Sequence, residues 1–230
     1  MNSENKANFF SKNYYRSILE YALDEKYEFF TYKDYFKEKL FNSKKKVALL
    51  RHDIDFKPHR AKIFFDVENK LNIKSSNYLL VHDNNYSFLN HKTLPIFMNA
   101  EKEGHEIGLH TNFFETSKIL NFNPEKTLEK EISILRNFFQ IKGVACHRNI
   151  DYLYNSLPYL QRNWEKLASK NNLLYEAYDE QVMTKTIFIN ESTAHIGWRN
   201  FTPEDVIKSG KNFSLSTHPH WWHREHPFED

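Results

Sequence analysis

Segments with strand character and segments with helix character alternate along almost the whole chain, and this alternation constrains the fold more than any other feature. Short apolar runs such as Lys46–Leu50 and Gly143–Cys146 predict strands. Between them lie amphipathic segments such as Thr127–Phe139, in which Leu128 and Ile132 fall on one helical face. Alternation of this kind is typical of a parallel sheet or barrel whose strands are connected by crossover helices. We therefore expect an α/β fold.

The size and composition of the chain predict one ordered domain. Its 230 residues are enough for a single continuous core. Hydrophobic residues make up 40% and charged residues 27%, which is typical of a folded globular protein. The aromatic share of 16% indicates that rings fill much of the core. Because we find no repeat or linker, we expect an N-terminal helical and aromatic segment, residues 1–45, packed on residues 46–230 of the same domain.

Charge, cysteine content and hydropathy argue against several classes of protein. The formal net charge of +2 is too balanced for a nucleic-acid-binding protein, and the run Lys44–Lys46 is too short to change this. The single cysteine, Cys146, permits neither an internal disulfide nor a multi-cysteine metal site. Residues Met1–Lys12 are polar, and no apolar window is long enough to span a membrane. We expect a soluble, cytoplasmic protein without stable membrane insertion, and its oligomeric state stays open.

The most informative polar residues follow the strand Lys46–Leu50, in the order Arg-His-Asp-Ile-Asp. Such charges are costly to bury without partners, so we expect them at the mouth of a site. At strand spacing Arg51, Asp53 and Asp55 point in the same direction. A role for the aspartates as helix caps is less favoured, because Pro58 at the first helical position places the cap later in the chain.

Three other predicted strands also end in residues that are capable of chemistry. They deliver His110, then His147 with Arg148, and finally His218. In a parallel α/β barrel the carboxyl ends of the strands meet on one face, and that face carries the active site. A carboxylate with two histidines is a common ligand set for zinc and similar metals. Taken alone, His110 and His147 could each be a structural histidine at the end of a strand.

Four stretches of the chain resemble motifs of the polysaccharide deacetylase superfamily, the NodB-like carbohydrate esterases. Leu50–Asp55 resembles an Arg-x-Asp-x-Asp variant of the first motif, found in a divergent subgroup that includes sugar deformylases. Gly104–Thr111 is similar to the second motif and is the most specific match. Gly143–Arg148 resembles the third motif and Ser216–Pro219 the fifth. Their order and spacing agree over roughly residues 46–222.

This resemblance implies a distorted (β/α) barrel that binds one divalent metal ion. It also implies that the protein is an enzyme that removes an N-acetyl or related acyl group from a sugar. Carried over by position, the implied roles are Asp53 as general base, Asp55 and His110 as metal ligands, Arg148 as the orienting arginine and His218 as general acid. The implied metal is Zn²⁺, with Co²⁺, Mn²⁺ or Ni²⁺ as alternatives. The implied substrate is a free, lipid-linked or nucleotide-linked sugar in the synthesis of a surface polysaccharide.

One position departs from the motif and leaves alternatives open. The second motif supplies another histidine four residues after the first, and here that residue is Phe114. His147 is the candidate replacement for this ligand, with His59 behind it. The roles of Asp53 and Asp55 could be exchanged, or both could contact the metal.

Two other classes of protein also fit parts of the pattern. A non-catalytic barrel that binds a glycan would explain Phe114, and it is favoured if His147 lies too far from His110 to share an ion. A glycoside hydrolase could use Asp53 and Asp55 as its carboxylate pair, but this leaves the histidines without a role. We rank the metal-dependent deacetylase first and the glycoside hydrolase last.

Overall fold

The computed structural model describes residues 10–82, 86–147, 154–191 and 197–225. Its centre is an eight-stranded sheet in which every pairing is parallel. The strands are β1 (Tyr27–Phe30), β2 (Lys46–Ile54), β3 (Ser76–Leu80), β4 (Glu106–Thr111), β5 (Gly143–Cys146), β6 (Tyr175–Glu176), β7 (Ile187–Asn190) and β8 (Phe213–Thr217). Their order across the sheet is β6-β5-β4-β3-β2-β8-β7, and β1 pairs with the first half of β2.

Helices connect most of these strands. They are α1 (Lys12–Asp24), α2 (Tyr32–Lys37), α3 (Ala61–Lys70), α4 (Leu94–Lys102), α5 (Phe113–Ile119), α6 (Pro124–Arg136), α7 (Ser156–Arg162), α8 (Trp164–Asn171), α9 (Glu180–Met183) and α10 (Pro203–Ser209). A 3₁₀ turn, Pro58–Arg60, precedes α3. No helix in the described ranges is long and apolar enough to cross a membrane.

The sheet curls into a half-barrel, which confirms the predicted distorted (β/α) barrel in a single domain. In the described part of the chain β6 and β7 are its two edges. Strand β1 comes from the predicted N-terminal segment, and it continues the sheet by pairing with residues Lys46–Leu49 of β2. The division of the domain at residue 45 stays a prediction.

The concave side of the sheet is filled with aromatic rings. Tyr32 from α2, Tyr78 from β3 and Tyr175 from β6 are completely buried there. Two glycines make room for these rings, because a Cβ on Gly108 would lie 2.6 Å from the ring of Tyr78 and one on Gly143 would overlap the ring of Tyr175. This packed layer closes the interior below the carboxyl ends of the strands.

Strand β2 is longer than the sequence indicates. The apolar run predicts an end at Leu50, but the strand continues to Ile54. Their charge suggests that Arg51 and His52 are exposed at the mouth of a site. Instead, both are fully buried within the strand. The reason is that both find partners inside the protein: Arg51 pairs with Asp53, and His52 contacts Glu68. Paired charges can remain in a strand interior that would exclude them singly.

Candidate metal centre

Asp55 is the centre of the polar cluster at the carboxyl edge of the sheet. It follows β2, and three histidines from other strand ends approach its carboxylate. The atom Nε2 of His110 lies 3.2 Å from Asp55 Oδ1, and Nε2 of His147 lies 3.5 Å from Oδ2. His218 Nε2 lies 3.6 Å from the same Oδ2. The structure therefore brings together residues that are far apart in sequence, as the strand-end pattern predicts.

Asp55, His110 and His147 offer three ligand atoms that lie within 4.8 Å of one another. Two atoms bound to one tetrahedral zinc ion, each about 2.0–2.1 Å away, stand about 3.3 Å apart. The separations of the Asp55 oxygens from the two histidines are close to this value. His110 Nε2 and Asp55 Oδ1 are also buried and have no hydrogen-bond partner among the described residues. The donor set therefore fits a divalent cation.

His110 is held in the orientation that a metal ligand needs. Its Nδ1 lies 2.8 Å from the carbonyl oxygen of Ala145 on the neighbouring strand β5, so Nδ1–H donates to that oxygen. A neutral imidazole held in this way has its lone pair on Nε2, the atom that faces Asp55. A backbone carbonyl that fixes the tautomer in this way is typical of metal-bound histidines.

His147 is held by a different contact. The Nδ2 atom of the Asn112 side-chain amide lies 3.3 Å from its Nδ1. The direction of this hydrogen bond depends on which way the Asn112 amide is turned. If Nε2 binds a metal, the proton is on Nδ1, and the Asn112 oxygen must face the ring to accept it. Because the amide nitrogen faces the ring in this structure, metal binding through Nε2 of His147 requires the Asn112 amide to turn over.

Asp53 is paired with Arg51 from the same strand. The Arg51 Nε and Nη2 atoms each donate to one oxygen of Asp53 at 2.8 Å. The guanidinium is completely buried, lies over the ring of Tyr178 and donates to its hydroxyl at 3.0 Å. Arg148, the orienting arginine that the motif implies, lies outside the described residues, so its role stays a prediction.

Both aspartates are ionised. Burial alone would raise the pKa of Asp53, but the Arg51 charge outweighs this and keeps the pKa below its usual value. Burial likewise opposes ionisation of Asp55, but the neighbouring His110 and His147 hold its pKa well below the usual range. The negative charge at Asp55 attracts cations, and that at Asp53 is neutralised by its arginine.

His218 is paired with Glu191, a residue that the sequence patterns did not single out. The Glu191 Oε2 atom accepts from the His218 backbone N–H at 2.8 Å and from its Nδ1–H at 2.7 Å. Burial would lower the pKa of His218, but the Glu191 carboxylate outweighs this and raises the pKa to about 9. His218 is therefore protonated at neutral pH. Glu191 directly follows β7, so extending the strand-end rule to this strand could have found it.

Phe114 and His59, the other two positions raised by the motif comparison, do not belong to the cluster of ligand atoms. Phe114 stands on the short helix α5, which the sequence patterns missed, and its ring stacks on Tyr159 at 4.6 Å. His59, the second candidate replacement, is exposed and is not part of the metal-ligand cluster. The ring of Trp221 is 4.6 Å from that of His218, whereas Trp222 is buried in the core.

Comparisons with known proteins agree with this fold. No protein-family profile and no curated protein matches the chain. It is similar to the Streptococcus pyogenes deacetylase PplD, solved in complex with acetate, with 16% identity, a TM-score of 0.55 and coverage of 92% of this chain and 93% of that chain. It is also similar to WbmS of Bordetella bronchiseptica, a proposed polysaccharide deacetylase involved in O-antigen biosynthesis, with 13% identity, a TM-score of 0.49 and coverage of 86% and 81%. The chain therefore shares its fold with the deacetylase PplD.

Proposed function

We propose that this protein is a metal-dependent hydrolase that removes an acyl group from an amide nitrogen of a sugar. The observation that carries the proposal is the convergence of Asp55, His110 and His147 on one point, with ligand atoms within 4.8 Å of one another. An arginine-bound carboxylate and a protonated histidine lie beside that point. These are the groups that amide hydrolysis needs: a ligand set, a base and an acid.

The proposed metal ligands are Asp55, His110 and His147, and Zn²⁺ is the ion that best fits one carboxylate and two imidazoles. When bound, such an ion supplies Lewis acidity that polarises an acyl carbonyl and makes water more acidic. Co²⁺, Mn²⁺ and Ni²⁺ accept the same donors. His147 thus supplies the ligand that Phe114 does not.

The chain's own residues would move the protons. Asp53 accepts a proton from the attacking water, and Arg51 holds its carboxylate in one orientation during this step. His218 gives a proton to the leaving amine, and Glu191 keeps it protonated and correctly turned. Because Asp53 is engaged by Arg51 and Asp55 by the histidines, this assignment is favoured over an exchange of roles between the aspartates.

The finer features of the function follow the motif resemblance. The acyl group would be N-acetyl or a related amide, and the sugar would be free, lipid-linked or nucleotide-linked. Surface-polysaccharide synthesis is the setting that such motifs imply. The shared fold with a deacetylase agrees with the type of reaction. A glycan-binding barrel without activity is less favoured, because His147 lies close enough to His110 to share an ion.

Metal titration with two matched variants tests the proposal. Protein stripped by a chelator is titrated with Zn²⁺ by calorimetry, and acetate release is measured on a panel of N-acetylated sugars. We expect one Zn²⁺ per chain in the wild type, and an affinity at least about 100-fold lower in Asp55→Asn. Asp24→Asn, an exposed aspartate at the end of α1, is the control and should bind like the wild type.

The outcomes separate the candidate functions. Acetate release that depends on added metal and is lost in Asp55→Asn supports the hydrolase. Failure of the wild type to bind Zn²⁺, or equal binding by Asp55→Asn and Asp24→Asn, contradicts the metal site. Sugar binding and metal binding without acyl release from any sugar on the panel would favour the glycan-binding barrel.

A further inference from the structure

A buried chain of hydrogen bonds lies behind the candidate site, on the opposite face of β2. Its middle member is His52, which stands between Arg51 and Asp53 in sequence and points away from them. His52 contacts Glu68 of α3 on one side and Thr217 of β8 on the other. Thr217 directly precedes His218. This chain of hydrogen bonds therefore joins the two strands that carry the proposed base and the proposed acid.

The contacts in this chain are short and well defined. His52 Nε2 lies 2.7 Å from Glu68 Oε1, and His52 Nδ1 lies 2.6 Å from Thr217 Oγ1. Glu68 is itself fixed, because the Tyr15 hydroxyl donates to Oε1 and the Ser75 hydroxyl donates to Oε2 at 2.7 Å. Burial would raise the pKa of Glu68, but His52 and the other donors lower it to about 2. An ionised Glu68 thus accepts a hydrogen bond from His52 Nε2–H.

The order carboxylate, imidazole, hydroxyl is also that of a nucleophilic triad, but its location excludes this role. The side chains of Glu68, His52 and Thr217 have no exposed surface. No acyl group can reach the Thr217 hydroxyl without unfolding of the sheet. Glu68, His52 and Thr217 can therefore affect the chemistry only through their neighbours in the strands.

The pairing of β2 with β8 shows how that contribution is made. His52 and Thr217 are direct partners in this parallel ladder, and they form its last pair before Asp53 and His218. The β2–β8 ladder continues no further at this point, so the side-chain bond between His52 and Thr217 is the contact of this ladder nearest to Asp53 and His218. On the face of β2 that carries the site, the proposed base Asp53 and the proposed acid His218 act on the same substrate. The distance between these two side chains must therefore stay constant.

We propose that Glu68, His52 and Thr217 are positioning residues, which hold Asp53 and His218 at the separation that the reaction needs. The inference rests on the proposed function, because it assigns the base and the acid to these two residues. Removing the Thr217 hydroxyl should loosen both strand ends without removing any group that contacts substrate or metal. The effect should be on kcat and not on KM.

The test compares three substitutions at two buried threonines, Thr217 and Thr186. Thr217→Val removes the hydroxyl and keeps the shape, and Thr217→Ser keeps the hydroxyl. Thr186→Val is the matched control, because that buried hydroxyl donates to Val182 O at 2.9 Å at the opposite end of β7. We expect Thr217→Val to lower kcat about 10-fold or more with KM within about twofold, and Thr217→Ser to recover most of kcat. Thr186→Val should leave both constants unchanged.

Amide hydrogen exchange provides a readout that needs no substrate. In Thr217→Val we expect exchange at the ends of β2 and β8 to be about 10-fold faster, whereas Thr217→Ser and Thr186→Val should leave these ends protected. Unchanged exchange there in Thr217→Val overturns the inference even if no sugar is hydrolysed. If the wild type hydrolyses a sugar, an unchanged kcat in Thr217→Val, or equal losses in Thr217→Val and Thr186→Val, also overturns it. A wild type without activity contradicts the proposed function alone.

Discussion

At the scale of single residues, the candidate site separates its charges by giving each carboxylate a different partner. Asp53 is neutralised by Arg51 and Glu191 by His218, whereas Asp55 faces the Nε2 atoms of three histidines. Only Asp55 is left with its charge directed toward the cluster of ligand atoms. Under the proposed function, this division assigns proton transfer and metal binding to different carboxylates.

The pairing of His218 with Glu191 predicts a pH dependence. A general acid works only while it is protonated, and the raised pKa of about 9 keeps His218 protonated up to that pH. In Glu191→Gln the carboxylate is lost and burial lowers the pKa of His218. The alkaline fall in kcat should therefore occur about one to two pH units lower than in the wild type, as measured from about pH 6 to pH 10.

Glu106→Gln is the control for this prediction. Glu106 is also a buried glutamate, but it accepts from Ser76 and Tyr175 and does not contact His218. Its substitution should leave the alkaline limb in place. If Glu191→Gln and the wild type lose activity over the same pH range, His218 is not the group that titrates.

At the scale of secondary-structure elements, the sheet is shaped by contacts between its strands. Gly108 and Gly143 are placed where the Tyr78 and Tyr175 rings cross them, so the glycines and the rings occupy adjacent strands as matched pairs. The Tyr78 and Tyr175 hydroxyls are 2.8 Å apart, and Tyr175 donates to Glu106. These interior contacts fix how closely β3, β4, β5 and β6 approach one another.

Filling one of these spaces should destabilise the protein. A Cβ on Gly143 would overlap the buried ring of Tyr175, which cannot move without breaking its hydrogen bonds. We expect Gly143→Ala to lower the free energy of unfolding by about 2–4 kcal/mol, as measured by urea denaturation. Gly197→Ala is the matched control, since a Cβ there meets nothing within 4 Å, and it should change stability little. Equal stability of the two variants would show that the Tyr175 ring moves to accommodate the added methyl group at little cost.

At the same scale, the sequence predicts most elements but not all of their lengths. Apolar periodicity locates α6 and β5 to within a few residues. It ends β2 too early, because a charged residue in a sequence carries no sign of the partner that allows it to be buried. It also misses α5, whose seven residues are too few to show a helical period.

At the scale of the whole molecule, Glu68 connects elements that are distant in sequence. Its carboxylate is contacted from α1 by Tyr15, from β2 by His52 and from the start of β3 by Ser75. All of these groups are buried. One ionised side chain is therefore the common partner of a helix and two strands, so its charge state affects the stability of the entire domain.

This arrangement predicts how stability changes in acid. The pKa of Glu68 is about 2 in the folded protein and 4.5 in its reference state, so the unfolded chain binds more protons between these values. The stabilisation, about 3 kcal/mol, is complete above pH 4.5 and is lost as the pH falls toward 2. The difference in unfolding free energy between metal-free wild type and Glu68→Gln should therefore shrink from pH 7 to pH 3.

Glu106→Gln provides a control of opposite sign. Burial raises the pKa of Glu106, so its folded form binds protons more readily than the unfolded chain. The stability difference between wild type and Glu106→Gln should not shrink in acid in the same way. A difference for Glu68→Gln that stays constant over the pH range would show that Glu68 acts through packing alone.

The sequence by itself determined the class of fold and the edge of the sheet at which chemistry collects. Both follow from local patterns: apolar runs define strands, and Asp53, Asp55, His110, His147 and His218 come directly at or after strand ends. The carboxyl ends of parallel strands meet at one edge whatever the details of packing. For this reason the cluster around Asp55 could be predicted without any knowledge of distances.

Only the tertiary structure decided which of these residues touch. That Glu191 holds His218 and that His147 reaches Asp55 depends on the curl of the sheet. Each of these contacts joins side chains whose separation is set by the packing of whole elements and not by sequence spacing. The curl in turn depends on the buried tyrosines and glycines of the interior. A local sequence pattern contains no information about such packing, because the same pattern of apolar and polar residues would also fit a flatter sheet.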